Sequence, residues 1–130
     1  MRKSIILILA IVVLAAGCSK DDDCKPNANA GLRHVVLFKF LDGTKAEDIK
    51  KVEDTFRALP AKIKEIRAFE WGTNNSPENL NQGFTHCFLV SFSSEKDREI
   101  YLPHPDHKAF VNVLSPHLDK VLVIDYWARQ

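Results

Sequence analysis

The chain has 130 residues, a formal net charge of +1, 45 % apolar side chains and 27 % charged ones. That length suits one domain, and that composition is globular and excludes a disordered chain. The balanced charge leaves no basic field large enough to hold nucleic acid.

Arg2 and Lys3 precede an uncharged apolar stretch from Ile5 to Ala16. A basic start and a short apolar run make a secretory signal; the run is too short to span a bilayer as a helix. It ends in Leu14-Ala15-Ala16-Gly17-Cys18. This resembles the lipobox of bacterial lipoproteins, which implies cleavage before Cys18 and lipidation of that cysteine. Ala15 departs from the usual Leu, whereas Ala16, Gly17 and Ser19 fit. The alternative is an ordinary signal peptide with an unrelated Cys. Ser19-Lys20-Asp21-Asp22-Asp23 is a solvated charged run. It serves either as a spacer or as an export tag, since it resembles the acidic signal that sends some Gram-negative lipoproteins to the cell surface. The expected division is therefore residues 1–17 as signal peptide, 18–31 as lipidated Cys and flexible acidic tether, and 32–130 as the folded domain. The expected location is the cell envelope, lipid-anchored at the outer membrane, with surface exposure left open. Cys24 falls in the tether. Cys87 falls in a strand and reads as a small buried hydrophobe, with a Cys24–Cys87 bridge as the alternative.

Arg33 to Phe40 alternates, with His34, Val36, Phe38 and Phe40 on one face and Arg33, Val35, Leu37 and Lys39 on the other. This predicts a first strand. Leu41-Asp42-Gly43 turns the chain. Thr44 to Glu47 fits a capping box that opens a helix, and Ile49, Val52, Phe56 and Leu59 form its apolar stripe. Pro60 is expected to stop that helix. A second strand is predicted from about Glu65 to Gly72, with Ile66, Ala68 and Glu70 opposite Arg67, Phe69 and Trp71. A polar loop from Thr73 to Gly83 follows. The third strand, Phe84 to Phe92, sets Phe84, His86, Phe88, Val90 and Phe92 against Thr85, Cys87, Leu89 and Ser91. Ser94 caps a short helix, with Asp97 three residues on. Pro103 and Pro105 bracket His104 and interrupt it, and Pro105 opens a further helix. His107, Phe110, Val111 and Leu114 fall on that helix's inner side. Val121 to Trp127 is the fourth strand.

The order β-α-β-β-α-β predicts an α+β, ferredoxin-like fold: a four-stranded antiparallel sheet with both helices on one face. The other face carries Val35, Leu37, Cys87 and Leu89, which need a cover. A second copy of the sheet is the simplest one, so a homodimer is expected. A domain of about 100 residues buries only about two-thirds of its unfolded surface, which also favours a partner.

Several segments together resemble the stress-responsive dimeric α/β-barrel (Dabb) family: His34 to Phe40, Glu70-Trp71-Gly72, Gly83-Phe84-Thr85-His86, Tyr101-Leu102-Pro103-His104-Pro105-Asp106-His107, and Asp125-Tyr126. The resemblance covers residues 32–127. It implies a ferredoxin-like subunit in a homodimeric α/β-barrel, and no single activity. Some members are stress-induced proteins, and one is a plant polyketide cyclase that performs an aldol condensation. The His and Tyr that carry that chemistry match His107 and Tyr101. Other polar pocket residues match His34, His86 and Asp125, while Phe56 replaces a pocket Tyr.

Imidazole serves as base or acid near neutral pH. An aldol closure needs a base beside a carbonyl and a donor for the oxygen that becomes negative. His107 and Tyr101 match those two roles, and Asp125 is placed to orient a neighbouring ring. For His34 and His86 a buried structural role competes. His104 reads as a turn or cap residue and His117 as a surface one. His104 and His107 have H-x-x-H spacing, which with Asp125 is compatible with zinc; the reading adopted is no metal and no cofactor. Polyketide thioesters arise in the cytoplasm, so a direct copy of the plant reaction is not expected outside it. Three readings compete. The first is an envelope-anchored module binding a small apolar or carbonyl-containing molecule among Phe38, Phe56, Phe88, Val111 and Leu114. The second is a cyclase- or aldolase-like enzyme, and the third is a structural dimer with no ligand.

Overall fold

The computed structural model describes residues 31–129. The readings for the signal peptide, Cys18 and Cys24 lie outside the described residues. The elements are β1 (Leu32–Phe40), α1 (Ala46–Arg57), α2 (Leu59–Lys62), β2 (Ala68–Thr73), β3 (His86–Phe92), α3 (Glu95–Tyr101), α4 (Pro105–Leu114), a 3-10 turn (Ser115–His117) and β4 (Leu118–Trp127). The sheet order is β2-β3-β1-β4 and every pairing is antiparallel. This is the ferredoxin-like arrangement.

β1 is paired on both edges, so its alternation decides what lies on each face. Leu32, His34, Val36, Phe38 and Phe40 are all buried, and the residues between them are half-buried. Across the ladders, Val36 stands opposite Phe88 and Val123, and Phe38 opposite His86 and Val121. The helices cover this side. Phe56 of α1 is the hub of the core. Its ring lies 4.4 Å from both Phe88 and Phe110, joining α1, β3 and α4. Val52, Leu59, Tyr101 and Leu114 of the helices and Ile63, just past α2, join this core.

Several local expectations are corrected. Thr44 does not cap α1. Its hydroxyl donates to the Leu41 carbonyl at 2.7 Å, and Lys45 takes the N-cap position without a side-chain bond. Local hydroxyl-to-backbone bonds compete with capping in this way. Glu47 and Asp48 still place negative charge in the first turn. Pro60 does not stop the helix from inside; α1 ends at Arg57, and Pro60 sits in the first turn of α2, where its missing N–H costs nothing. The second strand starts at Ala68, so Ile66 is buried ahead of it and not on the Ala68–Glu70 face. Strand three starts at His86 and strand four at Leu118. Val111 is 38 % exposed. Cys87 is exposed, because it lies opposite Leu37 on the side away from the helices.

That other side is apolar. Val35 pairs with Leu89 and Ile124, and Leu37 with Cys87 and Leu122. Ile124 is 50 % exposed, and Leu122 and Tyr126 are similarly open. Among the described residues β4 pairs only with β1, and residues on both of its faces, Val121 and Val123 on one and Leu122 and Ile124 on the other, are exposed.

Candidate functional site

The site forms where the second helix is broken. Ser94 caps α3 by accepting from the Asp97 N–H at 3.1 Å, and α3 ends at Tyr101. His104 then caps α4: its Nδ1 accepts from the Asp106 N–H at 3.2 Å, with Pro105 at the first helical position. The reversal brings Tyr101 and His107 together, with ring centroids 4.3 Å apart.

Tyr101 is fully buried. Its hydroxyl is the one buried side-chain polar atom among the described residues that no protein group satisfies. Burial pushes the phenol well above its ordinary pKa of 10.0, so it stays protonated and is available as a donor. His107 is half-buried, and its Nδ1–H donates to the Leu102 carbonyl at 2.9 Å. Only a protonated Nδ1 can serve a carbonyl, which leaves the lone pair on Nε2 of the neutral ring. Burial lowers the His107 pKa below 6.5; the Leu102 bond opposes this, and the His34 and His104 rings reinforce it. The pair thus offers a neutral donor and a neutral acceptor side by side.

His34 adds a third ring. It is 5 % exposed, meets Tyr101 edge-on at 5.8 Å, and stands directly opposite Asp125 in the β1–β4 ladder. Its Nδ1–H donates to Asp125 Oδ1 at 2.7 Å. Asp125 Oδ2 accepts in turn from Arg98 Nη1 at 3.0 Å.

These groups border a cavity of about 220 Å³. His34, Tyr101, His107 and Ser115 supply its polar residues, the Ser115 hydroxyl being turned to the Val111 carbonyl, and Val36, Phe38, Phe56, Phe110 and Leu114 its apolar floor. Val111 of α4 and Val121 and Val123 of β4 form a half-open rim. A mostly apolar pocket with a few convergent polar groups is the usual form of a small-molecule site.

The structure therefore gathers His34, Phe38, Phe56, Tyr101 and His107 on one cavity, with Asp125 behind His34. Phe88 backs Phe56 and does not reach the lining. His86 is elsewhere. It opens β3 opposite Phe38, where Glu53 Oε1 meets its Nε2 at 3.0 Å and the Thr85 hydroxyl its Nδ1 at 2.8 Å. Trp71 stacks parallel to it at 6.5 Å. With both nitrogens engaged, His86 ties α1 to the sheet. His104 and His107 do not converge, since one caps α4 and the other binds Leu102. Sequence reasoning missed Arg98, Glu53 and the Leu102 carbonyl. Arg98 lies three residues before Tyr101, a spacing that places two helical side chains on one face. That was the available signal.

A family model for the stress responsive A/B barrel domain (Dabb) matches residues 32–128. The chain belongs to this Dabb family. Over 99 residues it is 40 % identical to the stress-response A/B barrel domain-containing protein HS1 of Arabidopsis thaliana, covering 76 % of this chain and 91 % of that one. It is 27 % identical over 99 residues to the olivetolic acid cyclase of Cannabis sativa, covering 76 % and 98 %. Among solved structures, a dimeric protein of unknown function and ferredoxin-like fold from Bacteroides fragilis is 30 % identical with a TM-score of 0.63, covering 75 % of this chain and 96 % of that one.

In this Dabb domain the lowered His107 pKa has a definite sign. The unfolded imidazole takes its proton near 6.5 and the folded one at lower pH. Stability from the neutral ring is thus complete above 6.5 and is lost as pH falls from there through the folded value. A histidine NMR titration is expected to place the His107 midpoint below 6.5, and His107→Gln to flatten the loss of stability over that window. A midpoint at or above 6.5 contradicts the burial argument.

Proposed function

We propose that this Dabb domain binds a small, mainly apolar molecule bearing a carbonyl oxygen, with its apolar body in the cavity and its oxygen on the Tyr101 hydroxyl. The observation that carries this reading is the Tyr101 hydroxyl itself. A buried hydroxyl without a partner costs on the order of 1–3 kcal/mol, and a carbonyl oxygen seated beside Tyr101 would supply the acceptor that no protein group provides. The apolar lining selects the rest of the ligand.

Adjacent His107 supports a second reading, an enzyme. Its neutral Nε2 takes a proton from the carbon next to the carbonyl, while Tyr101 donates to the oxygen on which negative charge develops. The similarity to a cyclase agrees with that chemistry. The stress-response name of the Arabidopsis relative supports a role under stress. A structural dimer with no ligand fits the orphaned hydroxyl poorly.

A simple ketone separates the readings. Calorimetry is expected to show 2-heptanone binding to the wild-type chain, and Tyr101→Phe to weaken it by about three- to tenfold, the worth of one hydrogen bond. n-Heptane is expected to bind both alike. Equal ketone affinity in the two proteins removes the proposed contact. Exchange of the ketone's α-hydrogens in D2O, present in wild type and absent in His107→Ala, is the signature of the enzyme.

The apolar face around Leu37, Leu122 and Ile124 is best covered by a second copy, and the dimeric Bacteroides fragilis relative supports this. A charge buried at its centre is strongly unfavourable. Ile124→Asp is expected to halve the mass measured by light scattering; an unchanged mass argues for another interface.

We further propose that Cys18 carries lipid and holds the domain at the envelope, a reading that the sequence of residues 1–31 alone supports. More than one acyl chain gives stable anchoring. An alkyne-tagged fatty acid is expected to label the wild-type chain in a bacterial host and leave Cys18→Ala unlabelled and soluble. Equal labelling of both refutes the anchor.

A further inference from the structure

The Arg98–Asp125–His34 chain lies outside the Tyr101–His107 pair but ends on the same cavity. Arg98 and Tyr101 sit three residues apart on α3, so one short helix carries both the phenol and the guanidinium. Asp125 lies on β4, the edge strand, and His34 on central β1. The guanidinium joins α3 to the edge strand beside the cavity. The side chains of Arg98 and Asp125 are 23 % and 31 % exposed, so the bond is partly shielded from solvent.

We propose that Arg98 is a positioning residue of this site. It holds Asp125 Oδ2, which fixes the plane of the carboxylate, and Oδ1 then accepts the Nδ1–H of His34. A carboxylate is acceptor-only, so this bond selects the ring form with hydrogen on Nδ1. In that ring form the acceptor nitrogen of His34, a residue of the cavity wall, is Nε2. Without Arg98 the carboxylate has one anchor. It is then free to rotate about its side-chain torsions toward solvent, and His34 loses the contact that sets its tautomer. The contact is a single charge-assisted bond from Nη1, so a cation at this place is what restrains Oδ2.

This inference deepens the ligand-site reading and rests on it for its functional meaning, but its structural content is measurable without ligand. The test is nitrogen-15 spectroscopy of the His34 ring in the full chain, at a pH where the ring is neutral. Wild type is expected to show one tautomer, protonated on Nδ1. Arg98→Met is expected to show averaged ring-nitrogen shifts, and Arg98→Lys, which keeps the charge, to return most of the single-tautomer signature. A merely structural role for Arg98 does not move these shifts in a folded protein. An Arg98→Met spectrum identical to wild type overturns the proposal. So does free rotation of the Arg98 guanidinium in wild type, a measurement that needs no variant. Failure of 2-heptanone to bind while the tautomer responds to Arg98 sinks the ligand reading and leaves this one standing.

Discussion

β1 has a hydrogen-bonded neighbour on each edge, and a strand so placed cannot shift by one residue without turning its whole apolar set to the wrong side. Its ladders with β3 and β4 fix seven residues of β1, from Leu32 to Phe38, against partners on both sides. Everything else takes its position from this. Phe38 and Val36 give the helices a surface on which Phe56 and Phe110 can pack, and His34, two residues further back, inherits the same face. The imidazole is thus carried into the cavity by the strand's period and not by any preference of its own.

The second constraint is the proline-bracketed break between α3 and α4. A continuous helix would have put Tyr101 and His107 nearly two turns apart along one axis. The break folds the two segments so that the rings touch, and it spends His104 as the cap that the new helix needs. The same geometry gives the Leu102 carbonyl to His107. The backbone here does chemical work: a carbonyl left over at the end of one helix sets the tautomer of a side chain at the start of the next. Tyr101 receives no such partner. The site therefore has one satisfied and oriented ring facing one unsatisfied donor, an asymmetry that suits a ligand contributing an acceptor.

Much of this was legible in the sequence, and the parts that were not share a cause. Alternation and helical stripes depend on near neighbours, so β1, β3, the Phe56 face and the turn around His104 were readable from their own segments. Partner choice across the fold was not. Nothing near His86 indicates that Glu53, 33 positions away, takes its Nε2. Alternation placed His86 on the correct face but gave no measure of how far along the sheet the cavity extends. Arg98 bonds to a residue 27 positions on, through a contact that exists only after β4 has closed onto β1. Thr44 and Pro60 differ from expectation for a local reason: Thr44 can cap a helix or bond back to the turn before it, and Pro60 can end one helix or open the next. Cys87 is exposed in the single chain because its alternation puts it on the face that the helices do not cover, so burial there depends on a second copy.

β4 joins the two halves of the functional reading. Its alternation sends Val121, Val123 and Asp125 to the helix side, where the first two rim the cavity and the third holds His34. Leu122, Ile124 and Tyr126 go to the other face, the one suited to a second copy. It is an edge strand, and among the described residues its only ladder is to β1. Packing against the open face would therefore stiffen the very backbone that carries the rim and the carboxylate. Arg98 acts on the same strand from the helix side. A cavity walled by an edge strand is accessible to a ligand because that wall is only partly restrained, and it stays well shaped only if contacts from both faces hold the strand. The bond from Arg98 supplies one such restraint within the chain, and an apolar partner on the opposite face is the natural source of the other.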